Sequence, residues 1–299
     1  MAGVVWMILL KHQFNYMYGN WVIAKGSSIG GRHIEDNLPC QDSNAVFFNL
    51  EMDYGIAIVS DGAGSASHSN LGSKIVVEKG IELLNDKFSE TSFQELIHKE
   101  QIEVDTFFIE FYKLLYKKFE EYSLENDLPI KSLAATSIIV VFSKSGLICS
   151  HIGDGRAGYQ DIESTWHSVL EPFKGEEANQ TIFITSDIWE SPNEFIRTTK
   201  VNNQIQSFTL MSDGCESATF ELNRFNEETQ LYEKLNNPYP KFFNPNIAIL
   251  RELSLSGKSS EEIDDLWLKF LHNGNSKFES EIDDKTLILG TLINKVSNA

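Results

Sequence analysis

The chain has 299 residues, a formal net charge of −18, 41% hydrophobic and 23% charged residues. Those fractions exclude a disordered chain, and the length suffices for one large domain or two ordinary ones. So negative a chain is excluded as a wrapper of nucleic acid, whose phosphates need a basic surface; the acidity serves solubility or draws in cations.

Residues 1–20 read as an N-terminal extension, a strand or irregular. Its apolar run, residues 4–10, is about half of the roughly 20 residues a membrane span needs. It also lacks the basic start and small-residue cleavage site of a signal peptide. Residues 21–24 read as a short strand leading into a polar, Gly-rich loop over 26–42. Residues 45–50 and 54–59 are apolar and predict a hairpin with the acidic tip Glu51-Met52-Asp53. Apolar residues recur at helical spacing over 73–87 and again, as one longer helix, over about 92–123; so heavy a stripe packs against a sheet. Strands are predicted at 135–142, 147–152 and from Gly158 onward, with Ser143-Lys144-Ser145-Gly146 as a turn. Further strands are predicted at 181–185 and 207–211. Residues 221–275 read as a polar helical insertion or cap, interrupted by Pro238, Pro240 and Pro245, and 286–293 as a closing strand. Cys40, Cys149 and Cys215 are far apart and form no CxxC pair, so a reducing, cytoplasmic setting is expected, with no thiolate zinc site and no disulfide framework.

One local pattern recurs at separated places: an apolar strand ends in aspartate, then glycine. It occurs at Ser60-Asp61-Gly62, Ile152-Gly153-Asp154-Gly155 and Ser212-Asp213-Gly214, and it inverts at Asp283-Asp284, which leads into the last strand. A carboxylate at a strand end is held by a rigid sheet yet faces a loop where ligands enter. Glycine lets backbone carbonyls approach an ion closely. Converging carboxylates repel one another unless cations lie between them, and Mg²⁺ or Mn²⁺ suits sparse oxygen ligands. Any one Asp-Gly alone reads as an ordinary turn. Asp187, after a similar run but without the glycine, reads as structural.

The ordered set resembles the metal-dependent protein serine/threonine phosphatases, type 2C, in a bacterial branch with a Cys-Gln-Asp opening. It comprises Gly30-Gly31-Arg32-His33, Pro39-Cys40-Gln41-Asp42, Ser60-Asp61-Gly62-Ala63-Gly64-Ser65, Ala134-Ala135-Thr136-Ser137, His151-Ile152-Gly153-Asp154-Gly155-Arg156, Met211-Ser212-Asp213-Gly214 and Asp283-Asp284-Lys285-Thr286. The resemblance implies one phosphatase domain over 21–294 with an α+β fold, a four-layer α-β-β-α sandwich of two antiparallel sheets flanked by helices. It implies hydrolysis of phosphoserine and phosphothreonine in proteins by a metal-activated water. Two Mn²⁺ or Mg²⁺ ions are implied, with a third bound weakly. Asp61 would bridge the two, the Gly62 carbonyl would bind one, and Asp213 and Asp283 the other; Asp154 would help hold the third. The partners implied are a phosphorylated protein and an opposing serine/threonine kinase, with no nucleic acid and no membrane.

The chain departs from the family pattern at three places. Gln41-Asp42 replaces the commoner Glu-Asp, so one ion binds less tightly or Asp42 takes over through water. Ala63 stands where animal members carry a histidine; His68 is the substitute acid, or a solvent-facing loop histidine. Asn37 stands where the phosphate-binding arginine is expected, leaving Arg32, ahead of His33, as the candidate. His151 reads as a core histidine. Two competing readings are a binding module that has lost turnover and a hydrolase of small phosphate esters.

Overall fold

The computed structural model describes residues 18–173 and 181–294. The expectation for residues 1–17, the greater part of the N-terminal extension, lies outside them. Two five-stranded antiparallel sheets form the centre. The strands are β1 (Trp21–Ser28), β2 (Ser43–Asn49), β3 (Tyr54–Ser60), β4 (Ser137–Ser143), β5 (Gly146–Ile152), β6 (Arg156–Asp161), β7 (Trp166–Ser168), β8 (Arg197–Val201), β9 (Ile205–Met211), β10 (Phe220–Asn226), β11 (Leu231–Pro238) and β12 (Lys285–Leu292). One sheet runs β1-β12-β9-β6-β7 and the other β2-β3-β4-β5-β8, while β10 and β11 form a separate hairpin. Four long helices, α1 (Ser69–Glu90), α2 (Gln101–Glu125), α3 (Pro240–Leu255) and α4 (Ser260–Asn273), cover the outer faces.

The sandwich follows from where successive residues of each strand are buried. Along β3, Ile56 and Ile58 pack toward α1 and α2, while Ala57 and Val59 pack between the sheets. Along β4, Ile139 and Val141 face the helices and Ile138, Val140 and Phe142 face the other sheet. In β12 Leu287 and Leu289 meet α3 and α4, and Ile288 and Leu292 turn inward. Strands buried on both faces have no polar side to show, so the sequence reads as continuous apolar runs rather than alternation. Trp21, Phe142 and Phe208 close the centre, with ring centroids 5.1 Å apart for Trp21–Phe142 and 4.1 Å for Phe142–Phe208.

Three expectations need correction. The single helix expected over 92–123 is two, because the sequence carries two N-terminal capping boxes. Ser92 with Glu95 starts Phe93–Leu96, and Glu100 with Glu103 starts α2. Residues 181–185 are not a strand. They lie as an irregular segment beside the start of β4, joined by Ile184 N donating to Ala135 O at 2.9 Å. The cap expected to be helical from 221 begins instead as the hairpin β10–β11, whose pairs include Arg224 with Glu233 and Phe225 with Tyr232. Helix starts only at Pro240, whose fixed φ suits the first turn. Pro245, expected to interrupt, sits inside α3. No helix among the described residues is long and apolar enough to cross a membrane.

Candidate active site

Asp61 follows β3 and is held by residues 134–136, which lead into the neighbouring strand β4. Asp61 N donates to Thr136 Oγ1 at 2.9 Å, Thr136 N returns a bond to Asp61 O at 2.8 Å, and Ser60 Oγ donates to Thr136 O at 2.6 Å. The turn after Asp61 requires glycine, because a Cβ on Gly62 would stand 2.7 Å from Gln41 O and 2.8 Å from Ser69 O.

Asp213 comes from the opposite sheet. Ser212 N donates to Thr286 O and Thr286 N donates to Ser212 Oγ, both at 3.0 Å. This pair of bonds fixes the end of β9 beside the start of β12. The same stitch brings Asp213 next to Asp283, and Gly214 passes so close to the Asp284 carbonyl that no side chain fits there. Asp154 follows β5 after Gly153, whose φ of +119° sets the turn. Asp61, Asp154, Asp213 and Asp283 thus leave four strand ends, from both sheets, and line one cleft of about 470 Å³. Arg32, Gly62 and Glu216 line it too.

The electrostatics show how closely these carboxylates crowd. Burial first, then the charges of Asp42, Asp213, Asp283 and Asp154, hold Asp61 well above the ordinary carboxylate range. Asp213 is pushed up to about 7 by burial, with Asp154 and Asp283 adding to it. Asp42, 6% exposed, is pushed up to about 7 by burial against the opposing effect of the Ser212 hydroxyl, which donates to its Oδ2 at 2.7 Å. Asp42 Oδ1, Asp213 Oδ1 and Gln41 Oε1 are buried with no hydrogen-bond partner among the described residues. Buried acceptors of this kind call for a donor or a cation.

This all-oxygen donor set fits a hard divalent ion that keeps several waters. It does not form a closed cage: among the described residues no three His, Cys, Asp or Glu side chains are already arranged to hold an ion. Water and the backbone oxygen of Gly62 would have to complete the shell.

The other expected site residues are distributed unevenly. Arg32 is 76% exposed in its side chain, stands at the cleft with Asp36 3.9 Å away, and is available to an incoming anion. His33 is buried, with Nδ1 3.0 Å from Asp284 Oδ1. His68 is not brought to the cleft. It precedes the first turn of α1, and its Nδ1 lies 2.9 Å from Ser67 Oγ. Asp42 lies against Asp61 but behind the cleft wall. Asp187 makes an exposed ion pair with Lys131 at 3.1 Å, in keeping with a structural role. His151 is 3% exposed, its Nε2 2.9 Å from Glu171 O, and burial lowers its pKa to about 4, as a core histidine requires.

Two residues that sequence reasoning passed over matter here. Asp284 is 2% exposed and accepts from Gly30 N at 2.7 Å and Gln41 N at 2.5 Å. It therefore ties both ends of the loop carrying Arg32 to the start of β12. The signal was the doubled Asp283-Asp284: neighbouring side chains at a strand start point opposite ways, so one faces the cleft and the other its support. Asp284→Ala should leave two buried N–H groups without acceptors and cost about 2–5 kcal/mol of stability. Denaturant unfolding checks this, and a variant as stable as the parent would refute the clamp. Glu216, three residues past Asp213, borders the cleft and pairs with Arg156; only the tertiary structure singles it out.

The arrangement has known counterparts. The family model for protein phosphatase 2C matches residues 29–262. Serine/threonine-protein phosphatase 3 of Escherichia coli (strain K12) is 26% identical over 277 residues, covering 90% of this chain and 98% of that protein. Among solved structures, the serine/threonine phosphatase of S. agalactiae superposes with a TM-score of 0.54 at 17% identity, covering 91% of this chain and 99% of the other. Stp1, a serine/threonine phosphatase from Staphylococcus aureus, gives 0.52 at 13% identity, covering 92% and 95%. These two likenesses concern the fold. With a family match across most of its length and the same four-layer architecture, the chain belongs to the protein phosphatase 2C family, metal-dependent enzymes that dephosphorylate phosphoproteins.

Proposed function

We propose that Asp61, Asp213, Asp283 and the Gly62 carbonyl hold two Mn²⁺ or Mg²⁺ ions, that Asp154 contributes to a third weaker site, and that Asp42 supports the centre through water. The supporting observation is the convergence of four strand-end aspartates on one cleft, with Asp61 and Asp213 raised from their ordinary range by burial and then by the neighbouring carboxylates. When bound, such ions activate water for attack on phosphorus and offset charge on the phosphoryl oxygens.

The chain's own groups would do the rest. Thr136 and the 134–136 segment hold the Asp61 backbone in register, so its carboxylate keeps one direction. Arg32, on the exposed side of the cleft, would receive the phosphate dianion and orient it. His68 carries no part in this proposal, since it stands outside the cleft. Its absence leaves solvent to protonate the leaving oxygen. The substrate is a phosphoserine or phosphothreonine protein, and an opposing serine/threonine kinase completes the cycle. A reducing, cytoplasmic setting suits three unpaired cysteines, two of them buried.

Hydrolysis of a phosphoserine peptide should stop on chelation and return with Mn²⁺ or Mg²⁺. Mn²⁺ binding without turnover of any phosphate ester would favour the non-catalytic module instead. Turnover confined to small esters would favour the small-molecule hydrolase.

A further inference from the structure

The cleft around Asp61 continues into a second one. Phe173 and Glu216 line both, and the second has a volume of about 720 Å³. It runs between the hairpin β10–β11 and the start of β8, and its floor is built rather than incidental. Arg156, 3% exposed, donates through Nε and Nη2 to Glu216 Oε2 at 2.9 and 2.8 Å and through Nη1 to Asn236 Oδ1 at 2.7 Å. Asn236 in turn donates to Leu170 O at 2.8 Å. The base of the hairpin is thereby fastened to the residue that borders the catalytic cleft.

The charge of this groove runs against that of the whole chain. Arg156 and Glu216 neutralise each other. Of the other charged groups lining it, Arg197 and Lys234 are cationic and Glu171 is anionic. Arg197 and Lys234 are exposed, and neither forms an ion pair among the described residues. A chain of net charge −18 thus presents two uncommitted cations beside an acidic catalytic cleft.

We propose that this groove receives the substrate polypeptide next to its phosphorylated residue and favours aspartate or glutamate there. The inference rests on the phosphatase reading and adds a specificity element to it. A polypeptide whose phosphate enters the first cleft must leave it along the surface, and the groove opens from that cleft past Phe173 and Glu216. Arg197 and Lys234 are spaced across it on different elements, so an extended acidic segment meets both, while a small ester meets neither. Attraction between exposed charges is modest and screened by salt, so the effect falls on substrate affinity rather than on the chemical step.

The test uses the whole protein and its Arg197→Glu/Lys234→Glu variant. Three substrates are compared: two phosphoserine peptides differing only in glutamate or lysine flanks, and an aryl phosphate. The parent should prefer the glutamate-flanked peptide. The variant should lose about tenfold in kcat/KM on it through KM, improve on the lysine-flanked peptide, and leave the aryl phosphate unchanged. The single variant Arg197→Ala should show a smaller loss of the same kind. Equal kcat/KM for the two peptides in the parent, or an equal loss on all three substrates in the variant, overturns the groove while leaving the phosphatase reading intact. Failure of the parent to turn over either peptide overturns both.

Discussion

Asp61→Asn should lower kcat/KM for an aryl phosphate by about a thousandfold or more, with the fold retained. The loss corresponds to roughly 4 kcal/mol of transition-state stabilisation, within what divalent ions contribute to phosphoryl transfer. The expectation follows from position. Asp61 is the carboxylate on which the charges of Asp42, Asp213, Asp283 and Asp154 all act. Asparagine preserves the shape and the backbone bonds to Thr136 but removes one negative charge. The metal-free variant should therefore be at least as stable as the parent, because asparagine cannot ionise within the buried cluster at any pH. Steady-state kinetics together with thermal denaturation in chelator check both halves. Full activity in the variant would remove Asp61 from the centre of the site, and collapse of its stability would mean that the aspartate is structural.

The second large effect is a coupling of stability, pH and metal. Asp42 and Asp213 are raised from 3.8 to about 7 in the folded chain. A raised carboxyl contributes stability that is fully present below its unfolded pKa and is lost as pH rises through its folded pKa. Each shift of about three units is worth up to roughly 4 kcal/mol, and the two do not add in full because both lie against Asp61. His151 opposes them. Its pKa is lowered to about 4, so it contributes stability above about 6.5 that is lost as pH falls. With two carboxyls and Asp61 against one imidazole, the metal-free protein should melt at a lower temperature at pH 7.5 than at pH 5. Mn²⁺ should act in the other direction, since binding requires the carboxylates deprotonated. At a hundredfold excess over Kd it adds about 2.7 kcal/mol. Its stabilising shift should be larger at pH 7.5 than at pH 5. Differential scanning measurements with and without Mn²⁺ decide this; an equal Mn²⁺ shift at both values would mean that the buried carboxyls do not bind the ion.

Much of the candidate site was legible because it is made of strand ends. An apolar run that stops at Asp-Gly announces both the element and its terminus, and Asp61, Asp154 and Asp213 all carry that local signature. The strands themselves were legible because β3 and β4 are buried on both faces and carry near-continuous apolar runs, as does the Leu287-Ile288-Leu289 part of β12. Signals failed where the structure depends on partners distant in sequence. The hairpin β10–β11 is polar and largely exposed, with no apolar period to separate it from helix. Residues 181–185 look like a strand, but they lie irregularly against Ala135, with one bond to its carbonyl. His68 is seven residues from Asp61 in the chain, yet α1 begins there and keeps it out of the cleft.

By itself the sequence determined the main strands, the first covering helix and the recurrence of aspartate at strand ends, because burial period and turn residues are properties of neighbouring residues. Only the tertiary structure decided that Asp61 and Asp213, on opposite sheets and 152 residues apart in number, face one cleft. It alone placed Asp284 beneath the loop of Arg32, and joined the aspartate-lined cleft to the groove of Arg197 and Lys234. Those relations are set by how two sheets stack and which strand ends meet, and stacking depends on contacts that no local stretch of chain contains.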